Sequence, residues 1–104
     1  MAYIDPIESS PDVYRVLLDN EHVRVLEMKV RPGETDEMHS HSIETTYFTK
    51  GGRMRIHLVG AKHLELDVPD GHVMRHKPWT HRVENTGKIE IRAIIFEAKR
   101  DLGF

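Results

Sequence analysis

The chain of 104 residues contains no cysteine. That excludes disulfides, thiolate metal sites and a cysteine nucleophile. No apolar run approaches the length of a membrane span. The opening "MAYIDPIESSPD" has neither a basic nor an apolar segment, so no signal peptide is expected. An excess of one charge is also missing. The formal net charge of -2 gives no electrostatic case for nucleic acid or an acidic membrane as partner. Internal repeats, low-complexity segments and linkers are absent. The expectation is one soluble, cytoplasmic domain over residues 1–104.

What is present reads as β-structure, and no segment has a convincing helical period. "VRVLEMKV" (23–30) puts Val23 and Val25 on one face and Leu26, Met28 and Val30 on the other. "RMRIHLV" (53–59) aligns Met54, Ile56 and Leu58; "HLELDV" (63–68) aligns Leu64, Leu66 and Val68; "IEIRAIIFEA" (89–98) aligns Ile89, Ile91, Ala93 and Ile95. A period of two marks half-buried antiparallel strands. Turn signals separate the runs: "RPGE", "KGG", "VGAK", "PDGH" and "NTGK". Short strands punctuated this way predict an all-β sandwich or barrel over about residues 13–98. Residues 1–12, with Pro6 and Pro11, read as an arm that is either loose or covers a sheet edge, its own or a partner's. The tail "KRDLGF" is expected to form at most a turn.

Histidine is the unusual component, with 8 in the chain. His39 and His41 lie at i and i+2, so on a strand both rings project to one face. A bound cation holds two such imidazoles neutral, and imidazole suits Zn, Cu, Fe and Ni. Glu44 offers an oxygen. Simple alternation puts it on the opposite face, so it joins the pair only if the chain bends or bulges between Ser42 and Ile43. Downstream, "HKPWTHRVENTG" places His81 and Val83 on one face, and a returning antiparallel strand would bring His81 opposite the pair. Against the metal reading stands a polar loop in which histidine is merely common. His22, His57, His63 and His72 read as surface residues, and His76 as surface or as a partner that orients a ligand. Tyr47, Phe48, Met74 and Trp79 read as core packing, with pocket lining as the alternative.

The order of these elements resembles the cupin family. Its first motif runs Gly, five residues, His-x-His, three or four residues, Glu, six residues, Gly. Here Gly33, His39, His41, Glu44 and Gly51 follow that order, with two residues instead of three or four between His41 and Glu44. The second motif ends in His, three residues, Asn, which His81 and Asn85 match; its Pro-x-Gly is replaced by His76, Lys77 and Pro78. The resemblance covers about residues 20–98 and is similar to small single-domain bacterial cupins. It implies an antiparallel jelly-roll β-barrel, with His39, His41, Glu44 and His81 facing inward around one divalent ion (Fe, Mn, Ni or Zn).

Three functions are compatible with that. The first is an enzyme on a small organic substrate, a dioxygenase with iron or an isomerase or lyase with a Lewis-acid ion. The second is a non-catalytic receptor for a small ligand. The third is a structural cupin with a degenerate site. No pair of side chains stands out as acid and base. A homodimer is expected, with the arm adding to the partner's sheet.

Overall fold

The computed structural model describes residues 3–60 and 62–99. The tail expected to form a turn lies outside them beyond Lys99. One short helix and nine strands follow in order: α1 (Pro6–Ser9), β1 (Tyr14–Asp19), β2 (Val23–Val30), β3 (His39–His41), β4 (Glu44–Lys50), β5 (Gly52–Leu58), β6 (His63–Val68), β7 (Val73–His76), β8 (Trp79–Asn85) and β9 (Ile91–Ala98). They form two antiparallel sheets, β1-β2-β9-β4-β7 and β3-β8-β5-β6. Among the described residues no helix is long and apolar enough to cross a membrane.

Alternation decides what goes between the sheets. β9 buries Ile91, Ala93, Ile95 and Glu97 and turns the residues between them outward. β5 buries Met54 and Ile56, β4 buries Glu44, Thr46 and Phe48, and β8 buries His81, Val83 and Asn85. The inner face therefore has a gradient along each strand. At one end it is apolar, with Val30, Phe48 and Ile91. At the other the inward positions become Arg24, Glu44, His81 and Glu97. Antiparallel register collects these polar positions into one rim: Arg24 is opposite Glu97, Glu97 opposite Glu44, and Glu44 opposite His76. On the facing sheet His39 is opposite His81 and His41 opposite Trp79.

Two turns explain why the motif glycines stand where they do. Gly33 has φ 78°, a left-handed conformation that side chains disfavour, and donates to the carbonyl of Asn85. A Cβ on Gly51 would lie 1.9 Å from the backbone oxygen of Val68, so no larger residue fits. Asn85 is a structural clamp: its side-chain amide donates to Val30 and Ile89 carbonyls at 2.8 Å each, and its oxygen accepts from Gly87 at 3.0 Å.

The arm is engaged on its own chain. Ser40 N donates to Ile4 O at 2.7 Å, and Ile4 N donates back to Ser40 Oγ at 3.1 Å, which covers the free edge of β3. The arm also holds α1, started by Asp5, whose carboxylate accepts from Ile7 N, and by Pro6 in its first turn. Two apolar residues depart from simple alternation. Leu64 is 45% exposed because β6 is an edge strand, and Ile89 is 49% exposed because it belongs to the turn before β9.

Candidate metal centre

β3 is only three residues long, and all three are buried. Its i, i+2 spacing puts the His39 and His41 rings on the inner face, with centroids 4.7 Å apart. Pairing with β8 brings His81 to 4.8 Å from the His39 ring and 5.3 Å from the His41 ring. One nitrogen from each of the three histidines lies within 4.8 Å of the others, which is a cluster able to hold a metal ion.

Glu44 is buried and enters from the other sheet. The chain bends at Ser42 and Ile43 and crosses from β3 to β4, so the three-residue offset does not turn Glu44 away. Its Oε1 accepts from Trp79 Nε1 at 3.3 Å. Its Oε2 is 3.4 Å from His41 Nδ1 and has no hydrogen-bond partner among the described residues. Burial, and after it the nearby Glu97 carboxylate, raises the Glu44 pKa.

The ring protons are set by outer partners. His41 Nδ1 donates to Glu97 Oε2 at 2.7 Å, which leaves Nε2 as the lone-pair nitrogen. Arg24 Nε donates to the other Glu97 oxygen at 2.9 Å, and Arg24 is held in turn by Asp5. Burial works to raise the Glu97 pKa, but the hydrogen bonds from His41 and Arg24 outweigh it, and the carboxyl is held below its usual value. His39 Nδ1 donates to the Glu37 carbonyl at 2.8 Å. Burial, reinforced by His41, lowers the His39 pKa to about 4. His81 is held well below the ordinary imidazole value by burial and by the two neighbouring histidines. Neither ring nitrogen of His81 has a hydrogen-bond partner among the described residues, although the ring is buried.

Glu97, Tyr14 and Asp36 were not found from sequence. Glu97 had a signal: it continues the inward phase of Ile91, Ala93 and Ile95. Tyr14 and Asp36 had none. Asp36 is buried, with Oδ1 accepting from Val83 N at 2.6 Å and Oδ2 from Tyr14 at 2.7 Å; burial raises its pKa to about 6.

The remaining residues sort plainly. His22, His63 and His72 are exposed, and half-buried His57 pairs with Glu84 on the outer face. His76 touches no histidine of the cluster by hydrogen bond; it stacks on Trp79 with centroids 3.6 Å apart, and Trp79 lies 4.1 Å from the His81 ring. Phe48 is core, and Met74 lines the cavity beside the histidines. Tyr47, considered above as pocket lining, points outward and is 43% exposed, because it is out of phase with Glu44, Thr46 and Phe48. The cavity beside the histidines is about 20 Å³. That is the scale of one water or ion.

No family model matches the chain, and no curated protein matches it. Solved structures do. A cupin domain from Bordetella pertussis Tohama I is 20% identical, with 96% of this chain and 99% of that one covered at a TM-score of 0.76. An uncharacterised conserved protein with a double-stranded β-helix domain from Klebsiella pneumoniae is 20% identical, covering 88% and 79% at 0.68. An RmlC-like cupin family protein from Methanocaldococcus jannaschii is 18% identical, covering 83% and 78% at 0.66. The chain therefore has the cupin fold, an antiparallel double-stranded β-helix, with a buried three-histidine cluster inside it.

Proposed function

We propose that this chain is a divalent-metal-binding small cupin acting on a small organic substrate, with His39, His41, Glu44 and His81 as the ion's protein ligands. The observation that carries the reading is the three-histidine cluster with unpartnered buried nitrogens on His81; Glu44 Oε2 is likewise buried and unpartnered, 3.4 Å from His41 Nδ1. A buried polar atom left without a partner costs about 1–3 kcal/mol. An ion held by one His81 nitrogen and by Glu44 would remove that cost at those two atoms, and three imidazoles with one carboxylate are a donor set that Fe, Mn, Ni and Zn accept. Bound iron would supply dioxygen chemistry, and the other ions Lewis acidity towards a carbonyl.

The chain's own residues have separable tasks. Glu97 and the Glu37 carbonyl hold the Nδ1 protons of His41 and His39, which leaves the lone pair of each ring on Nε2. Trp79 holds Glu44 by a hydrogen bond and carries His76 stacked on its ring. Tyr14, Met74 and Phe48 line the cavity. A cavity of about 20 Å³ admits no organic molecule beside an ion, so a substrate would engage at its opening.

The test is elemental analysis of untagged protein purified without chelator, beside His39→Ala/His41→Ala. About one equivalent per chain, lost in the variant, supports the site. No metal in the native protein, and none taken up from Fe, Mn, Ni or Zn, removes the enzyme reading. The small cavity favours a second reading, a non-catalytic binder. It predicts ligand-induced thermal stabilisation by mass action without turnover. A structural protein with a degenerate site would instead be indifferent to chelators.

A cytoplasmic homodimer completes the proposal. Since the arm lies on its own chain, the outer face of the five-stranded sheet is the surface proposed for pairing. Tyr47, Val73 and Phe96 are exposed there, with Tyr47 and Val73 directly opposite each other. Light scattering of the wild type and of Tyr47→Asp checks it.

A further inference from the structure

The proton inventory around His39 leaves one atom unexplained. The Glu37 carbonyl only accepts, so the His39 ring proton is on Nδ1 and Nε2 carries a lone pair. Tyr14 Oη lies 3.1 Å from that lone pair and 2.7 Å from Asp36 Oδ2. A phenol has one proton, and the shorter contact, to a carboxylate, takes it. The oxygen then faces Nε2 with no proton between two acceptors, both on buried side chains. A buried tyrosine needs one hydroxyl partner, and Asp36 is that partner. Packing does not call for the second contact.

A cation does. Ligand atoms at adjacent positions around a first-row ion, each about 2.0–2.2 Å from it, lie roughly 3 Å apart. Tyr14 also lines the same cavity as His41, Glu44 and His81.

We propose that Tyr14 is a further oxygen ligand of the ion held by His39, His41 and His81. This rests on the metal reading above. As the oxygen binds, the phenolic O–H bond breaks and its proton passes to Asp36 Oδ2 along the existing hydrogen bond, so the local charge changes only by that of the ion. The other Asp36 oxygen stays fixed by Val83 N at 2.6 Å. Phenolate is a hard, anionic donor that suits ferric iron, as tyrosine does in catalase. The competing arrangement needs no ion: a proton on Asp36 donates to Tyr14, and Tyr14 donates to Nε2. It makes Tyr14 purely structural.

The two arrangements differ in colour. Metal-free protein is loaded with ferrous ion without oxygen and then exposed to air, so that dioxygen takes one electron from each iron. A phenolate on ferric iron gives a visible charge-transfer band, with tyrosinate ring modes in resonance Raman. The wild type is expected to show both. The chain has 3 tyrosines, so Tyr3→Phe/Tyr47→Phe leaves Tyr14 alone and is expected to keep the band. Tyr47 faces outward, and the hydrogen bond that Tyr3 accepts comes from Arg24 at 3.3 Å and not from a proposed ligand, so the result stands whether or not Tyr14→Phe folds. Where Tyr14→Phe folds, it is expected to hold iron and lose the band. Iron bound without a phenolate band, or loss of the band in Tyr3→Phe/Tyr47→Phe, overturns the assignment of Tyr14 and leaves the histidine site intact. Failure of the wild type to take up iron overturns the assignment of Tyr14, and the metal reading falls with it only if elemental analysis also finds no Mn, Ni or Zn taken up.

Discussion

Replacing Glu97 with alanine is expected to cost about 3 kcal/mol at pH 7. The carboxylate is 2% exposed and joins His41 Nδ1 at 2.7 Å to Arg24 Nε at 2.9 Å. Removing one member of a buried ion pair costs about 3–5 kcal/mol, because the other charge is left uncompensated. Two features favour the lower end. Arg24 keeps Asp5, whose oxygens both lie 3.1 Å from Nη1, and its side chain is still 13% exposed. Glu97→Gln keeps the shape and one acceptor, so it should cost roughly half as much. Urea unfolding of the metal-free protein, followed by Trp79 fluorescence, measures both. With a slope of about 1–3 kcal/mol/M, the alanine midpoint falls by about 1–3 M. The pH dependence has a definite sign. A carboxylate whose pKa is lower in the folded state stabilises above its unfolded value of about 4.3 and loses that contribution as pH falls through the folded value. The difference between wild type and Glu97→Ala should therefore shrink on acidification. A cost under about 1 kcal/mol at pH 7, or one that grows as pH falls, would refute the ion-pair account. In the loaded protein the same variants should lose about 10–100-fold in metal affinity, since His41 loses the partner that orients it.

Other outcomes follow from the same geometry. Burial holds His39 at a pKa of about 4 and His81 well below the ordinary value, so protons should not displace the ion until the pH falls well below 6; elemental analysis after dialysis at stepped pH checks this, and half-loss at or above about 6.5 would contradict it. In the metal-free protein, unfolded His39 binds a proton below about 6.5 while the folded ring stays neutral to about 4, so it removes stability as pH falls through that window. Asp36, raised to about 6, acts with the opposite sign between its unfolded value of about 3.9 and 6, so Asp36→Asn should lose stability more steeply than wild type between pH 6.5 and 4.5; a shallower loss in urea unfolding would contradict the cancellation. Gly51→Ala should cost about 3 kcal/mol, because the new Cβ meets backbone at Val68 and not a movable side chain; an unchanged thermal midpoint would contradict that close approach. Trp79 is the only tryptophan and lies 4.1 Å from the His81 ring, so titration with a paramagnetic ion such as Cu(II) or Mn(II) should quench its fluorescence in wild type and not in His81→Ala.

Period and residue type along single strands were readable without a structure. The runs at 23–30 and 63–68 coincide with β2 and β6, and the i, i+2 spacing correctly put His39 and His41 on one face. β1 was missed because "YRVLLD" does not alternate: it is an edge strand in which only Tyr14 is buried. β7 was missed because it is four residues long. Local spacing alone would have turned Glu44 outward, and it faces inward because the bend at Ser42–Ile43 moves the chain into the other sheet. His81 reaches His39 through a pairing between β3 and β8. Tyr14 and Glu97 meet the histidines only once both sheets have closed, whereas Asp36 reaches His39 within one segment, its Oδ2 lying 3.3 Å from Nδ1. A strand's period is written in adjacent residues, because the pleat that creates it is local. Which strands become neighbours depends on hydrogen bonds and buried area shared by distant segments. So the sequence by itself determined an all-β chain with two histidines on one face and a family resemblance, and the tertiary structure decided which acids, which third histidine and which phenol surround them.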